Sequence, residues 1–136
     1  MLFYKLNGKQ VNKNIQKYAI SWDAPERSKF QLRVKQYLKQ YWQFNVCYSE
    51  LPVIGTKMTI DLFNATKRIA VEMDGAQHYE YSKYWHKGSR INYLSQIKRD
   101  ILKEKWCEMN NIQLIRIFET DELCKSFFLE RFNIIL

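Results

Sequence analysis

Residues 57–75, KMTIDLFNATKRIAVEMDG, constrain the fold more than any other stretch. Two runs rich in apolar and β-branched residues flank a short polar break, so they predict a β-hairpin from Met58 to Phe63, a turn through Asn64 to Lys67, and a return strand from Arg68 or Ile69 to Asp74. Side chains alternate faces along a strand. Ile60 and Leu62 are therefore expected on one face and Asp61 on the other, and either register of a short turn brings Asp61 against Glu72 as a direct or diagonal neighbour. Like charges across a sheet repel unless they share a proton, meet a basic group or bind a cation. Mg²⁺ takes one or two carboxylates together with waters and phosphate oxygens, so the pair suits a metal site. The competing explanation is an exposed sheet face on which Lys57 or Lys67 partners the acids.

The rest of the chain arranges elements around this hairpin. Leu2 to Val11 alternates loosely about Asn7-Gly8, a dipeptide that tolerates the positive φ of a tight turn, and predicts a small hairpin. Ser28 followed by Gln31 reads as a capping box, so a helix starts at Ser28. Its apolar stripe is Phe30, Val34, Tyr37, Leu38 and Tyr41, leaving Lys29, Arg33, Lys35 and Lys39 to water or phosphate. FNVCYSELPVIG is extended, and Gly75 to Arg90 has no sustained period and reads as a long loop. From Ile91 to about Met109 the helical period returns, with Leu94, Ile97 and Ile101 on one face and Asn92, Gln96, Asp100 and Lys103 on the other. Asn110-Asn111 ends it. IQLIRIF predicts a buried strand, and a short helix from about Asp121 closes the chain.

At 136 residues the length prior favours one domain. Residues 1–27 form an extension or small hairpin, 28–118 the core and 119–136 a C-terminal helix. A net charge of +8 favours an anionic partner, nucleic acid first. Cys47, Cys107 and Cys124 lack paired spacing, which signals neither a disulfide framework nor a zinc knuckle and fits a reducing cytoplasm. No apolar run approaches the roughly 18 residues that span a bilayer. Neither a membrane anchor nor a signal peptide is expected.

The order helix, strand, acid-bearing hairpin, helix, strand resembles the PD-(D/E)XK nuclease superfamily. MTIDLFNATKRIAVEMDGAQH followed by QIKRDILKEKWCEMNNIQLIRI resembles its branch related to very-short-patch-repair endonucleases. Phage freestanding homing endonucleases, notably of cyanophages, and Holliday-junction-resolvase-like proteins lie near that branch. The resemblance covers about Ser28 to Ile117. It implies an α/β (α+β) restriction-endonuclease-like core, a mixed four-stranded sheet in the order αβββαβ. It implies Mg²⁺, with Mn²⁺ substituting, and cleavage of DNA to 5′-phosphate and 3′-hydroxyl ends. The activity implied is that of a phage-type homing endonuclease making a double-strand break as a homodimer in the cytoplasm of a bacterial host. A branched-DNA resolvase is the first alternative and a catalytically inactive DNA-binding relative the second.

By the same resemblance Asp61 is the metal-bridging acid and Glu72 the second carboxylate, while His78 and Asp100 match the branch's later His and Asp. Gln31 stands where relatives carry a helix Glu, and Asp74 stands where the superfamily carries Lys. His78 is then the candidate general base or water orienter, against a loop residue bonded to structure. Lys98 or Lys103 is the candidate source of the missing positive charge. Gln31 either lends an oxygen to a metal-bound water or only completes the capping box. Asp100 either joins the site or is solvated beside Lys103 or Lys98. Gln77 is a candidate to orient a site water. YEYSKYWHKGSR, with Lys83, His86, Lys87 and Arg90 among aromatics, has the composition of a DNA-facing loop or of a packed surface loop.

Overall fold

The computed structural model describes residues 1–74 and 89–136, with the backbone alone at 89 and 90. In chain order these residues form β1 (Leu2–Tyr4), β2 (Gln10–Asn12), a 3₁₀ turn (Gln16–Tyr18), α1 (Lys29–Trp42), β3 (Cys47–Pro52), β4 (Thr59–Asn64), β5 (Ile69–Asp74), α2 (Ser89–Met109), β6 (Gln113–Phe118) and α3 (Lys125–Phe132). The fold is mixed α/β. A four-stranded sheet in the order β3-β4-β5-β6 is antiparallel except for the β5–β6 pair, which is parallel, and β1–β2 is a separate antiparallel hairpin.

Local chemistry accounts for most boundaries. The Ser28 hydroxyl accepts from the Gln31 N–H at 3.1 Å and caps α1. The β4–β5 turn is held by Asn64, whose side-chain oxygen accepts from the Lys67 N–H at 3.0 Å, and Arg68 takes φ 57°. Asn111, at φ 56°, reverses the chain after α2. α3 starts at Lys125, later than Asp121, because Asp121 is engaged elsewhere: it accepts from the Phe118 N–H at 2.7 Å and pairs with Arg131.

Two apolar clusters sandwich the sheet. Val34, Leu38 and Trp42 of α1 and Phe128 of α3 pack on Leu62, Val71, Ile115 and Ile117. Phe3 and Ile15 of the N-terminal segment, with Trp106 and Cys107 of α2, pack on Tyr48, Ile60, Phe63 and Ala70. Phe3 stacks on Trp106 with ring centroids 5.5 Å apart. Ile60 and Leu62 thus belong to different clusters, whereas strict alternation puts them on one face. The break falls beside Glu50, which has a left-handed φ of 51° and by register faces Asp61.

The orientation of α2 corrects the sequence expectation. Ile91, Leu94 and Ile101 are exposed, whereas Asp100 is 5% exposed and Lys103 points inward to the sheet. The polar face turns to the sheet because that part of the sheet presents Glu72, Asp74 and Arg116, which need partners more than the isoleucines need burial. α1 carries a smaller correction. Lys35 is 3% exposed rather than solvated, bonded to the Ala24 carbonyl at 3.1 Å and paired with Glu26 at 3.0 Å.

Candidate functional site

The β4–β5 register pairs Leu62 with Val71, Phe63 with Ala70 and Asn64 with Ile69, so its continuation sets Asp61 opposite Glu72. The β3–β4 register likewise sets Glu50 opposite Asp61, and β5–β6 pairs Glu72 with Arg116. One transverse row of the sheet therefore carries Glu50, Asp61, Glu72 and Arg116. Backbone pairing between β4 and β5 stops at this row, and the acids satisfy the released amides. The Asp61 N–H donates to Glu72 Oε2 at 3.2 Å, and the Met73 N–H donates to Asp61 Oδ2 at 2.8 Å.

The two carboxylates differ in their surroundings. Glu72 is 2% exposed and ion-paired with Lys103, which reaches down from α2. Asp61 has no such cation among the described residues. Burial first, then the charge and hydrogen bond of Glu72 and the charge of Glu50, push its carboxyl up to about 8, against the downward pull of the Met73 amide. Asp61 also lines a cavity of about 40 Å³ with Gln31, Lys35, Glu50 and Met73, which has room for a water or a cation. Neither Lys57 nor Lys67 pairs with either acid among the described residues.

A second cluster lies on the α2 side of the same row. Arg116 Nη1 is 3.3 Å from Asp74 and 3.4 Å from Asp100, its Nη2 donates to the Asp100 carbonyl at 3.1 Å, and its Nε is 3.7 Å from Glu104. Gln96 donates to Asp100 at 3.1 Å. Asp100 is consequently neither solvated nor paired with Lys103 or Lys98. Asp74, at the position where the resembled motif has Lys, is buried and held by Arg116.

The structure brings together Asp61, Glu72, Lys103 and Gln31, and pairs Asp100 with Arg116, the residue in register with Glu72 on the neighbouring strand. Lys98 is exposed on the outer side of α2. Gln77, His78, Lys83, His86 and Lys87, and the side chain of Arg90, lie outside the described residues. Arg116 and Glu50 were missed by reasoning from sequence. A lone Arg inside IQLIRIF was the available signal for Arg116, since a buried strand cation implies an acid nearby; nothing local marked Glu50.

Among the described residues no three His, Cys, Asp or Glu side chains converge as a metal cage. The donor set is two carboxylates flanked by a lysine and an amide, which suits a hard cation that keeps most of its waters rather than zinc. Among the described residues no helix is long and apolar enough to cross a membrane.

The chain is similar to three viral proteins. It is 35% identical over 72 residues to uncharacterized protein 033L of invertebrate iridescent virus 3, covering 53% of this chain and 37% of that one. Identity is also 35% over 66 residues to uncharacterized protein 094L of frog virus 3 (isolate Goorha), covering 48% and 43%. Uncharacterized protein 307L of invertebrate iridescent virus 6 is 35% identical over 60 residues, covering 44% and 30%. The matched region thus spans less than half the length of each relative. No family model and no solved structure matches the chain.

Proposed function

We propose that the chain is a metal-dependent DNA endonuclease built on a PD-(D/E)XK-like core, with Asp61 and Glu72 as its metal ligands. The observation that carries this reading is the facing acid pair at the point where the β4–β5 ladder opens, with one acid held by Lys103 and the other half-buried with no cation paired to it among the described residues. A carboxyl partly withdrawn from water beside a second carboxylate either keeps its proton or takes up a cation. The element order α1, β3-β4-β5, α2, β6 and the mixed sheet support the core assignment.

Mg²⁺ or Mn²⁺ at Asp61 and Glu72 would supply Lewis acidity to the scissile phosphate and offset the charge that develops on it. The chain's own groups do the rest. Lys103 places its ammonium beside Glu72 and so returns from α2 the positive charge that the motif lysine would bring from β5. Arg116, which Asp74 shares with Asp100 and Glu104, offsets part of the repulsion that Asp74 would add toward the phosphate. Gln31 faces the Asp61 cavity with a neutral amide, suited to orienting a water. His78 is the general base in this scheme and belongs to it as a proposal.

The three viral relatives support a virus-encoded protein and leave its host open. In this reading the enzyme is of the homing type and makes its double-strand break as a homodimer. The test is cleavage of supercoiled plasmid and of a four-way junction in Mg²⁺ or Mn²⁺, with Asp61→Ala and Glu72→Ala beside the wild type. Cutting that both variants lose while keeping DNA binding supports the enzyme. Cutting of the junction alone makes it a resolvase. Binding by the wild type without cutting in either metal refutes the nuclease reading.

A further inference from the structure

Residues 1–22 contain Lys5, Lys9, Lys13 and Lys17 and no acid, so this short segment carries half of the chain's net charge of +8. Folding concentrates that charge. Lys5 and Lys9 face each other where the β1–β2 hairpin closes, the Lys5 N–H donating to the Lys9 carbonyl at 2.9 Å. Lys13 and Lys17 line one groove of about 280 Å³ with Asn14, Tyr18, Ile54 and Gly55. Lys9, Lys13 and Lys17 are exposed, and none of the four lysines has an ion-pair partner among the described residues.

The hairpin is nonetheless anchored. Phe3 is fully buried, and Asn110 both accepts from the Tyr4 N–H at 2.7 Å and donates to the Tyr4 carbonyl at 3.0 Å. A fixed cluster of like charges costs free energy that a flexible tail would avoid by spreading. A polyanion with regularly spaced charges offsets that cost. The segment also leads to the acids. Past Lys17, Ala19 bridges to Tyr48 on the β3 edge, the Ile20 N–H donates to the Cys47 carbonyl at 3.0 Å, and Ile20 lines the Asp61 cavity. Three peptide units, at most about 11 Å, separate Lys17 from Ile20.

We infer that the β1–β2 hairpin and the following 3₁₀ turn form a phosphate-backbone clamp that seats nucleic acid beside the acid pair, with Lys9, Lys13 and Lys17 as its contacts. This rests on the nucleic-acid half of the proposed function and not on catalysis. The test is anisotropy of a labelled DNA duplex with EDTA present, as a function of salt, for the wild type, for Lys9→Gln/Lys13→Gln/Lys17→Gln, for the corresponding Lys→Arg triple, and for Lys67→Gln/Lys105→Gln/Lys125→Gln on other surfaces. The first triple is expected to lower the slope of log K against log salt by about 2 to 3 and to weaken binding about tenfold or more, while the Arg triple and the distant triple keep both near wild type. Unchanged slope and affinity in the first triple overturn the clamp, as does an equal loss in the distant triple. Absence of wild-type DNA binding beside binding to phosphatidylserine vesicles also overturns it, in favour of a membrane surface. Because no divalent ion is present, a chain that binds through the clamp but never cuts refutes only the nuclease.

Discussion

Two hairpins of this molecule concentrate charge of opposite sign and treat it differently. β4–β5 lies inside the sheet, and its acids are buried or, at Asp61, half-buried, where an uncompensated charge is costly, so they are bonded to backbone amides, to Lys103 and to each other. β1–β2 lies on the surface, and its lysines, Lys5 half-buried and Lys9 exposed, have no acid partner among the described residues. Burial forces a charge to find a partner within the fold, whereas exposure lets it wait for one outside. The first hairpin is accordingly read as chemistry and the second as attachment.

Damage to the acid hairpin should have the largest effect. Asp61→Ala is expected to reduce plasmid cleavage about a thousandfold or more, since the bound ion contributes several kcal/mol to the transition state. Metal-free DNA binding should be kept, and loss of binding in step with cleavage would collapse the two hairpins into one function. Next comes the cluster behind the acids. Arg116→Met leaves Asp74 and Asp100 buried without their shared cation, and urea unfolding should show a loss of about 3–5 kcal/mol. A loss near zero would mean that the acids take up protons or find other partners at little cost.

The acid pair should also make stability depend on pH in a defined direction. Folded Asp61 holds its proton up to about 8, while the unfolded carboxyl releases it near the ordinary 3.8. Between those values the folded state binds more protons than the unfolded one, so this contribution to stability falls as pH rises and is fully lost above about 8. The melting temperature of the wild type, taken as a difference from Asp61→Asn, should therefore drop through that window in EDTA and drop less with Mg²⁺. A flat difference would remove the case for a strained acid. The smallest effect belongs to the lysine hairpin. Lys9→Gln alone should change stability by no more than about 0.5 kcal/mol and lower the salt slope of DNA binding by about 0.9.

The strand hairpin was legible because a period of two leaves only a choice of register, and both short-turn registers bring Asp61 to Glu72. The Ser28 cap and the Asn111 stop were legible because capping depends on residues three or four apart. α2 was not. Its apolar stripe of Leu94, Ile97 and Ile101 pointed inward by the ordinary rule for an amphipathic helix, and the structure turns Leu94 and Ile101 outward and leaves Ile97 half-buried. Ile101→Ala checks that orientation by urea unfolding. The exposed side chain implies a change within about 0.5 kcal/mol, where a core position would lose about 2–5 kcal/mol.

By itself the sequence determined which segments are helix and strand, that two acids share a hairpin, and that the first 22 residues hold four lysines and no acid. These are properties of neighbours along the chain, and local sterics and periodicity decide them. Only the tertiary structure decided which face of α2 meets the sheet, that Lys103 rather than Lys57 or Lys67 holds Glu72, and that Arg116 gathers Asp74 and Asp100. Each of those choices depends on matching buried charges between residues 16 to 42 positions apart. No local pattern encodes such a match, because the cost of burying a charge is set by whichever groups the fold brings to it.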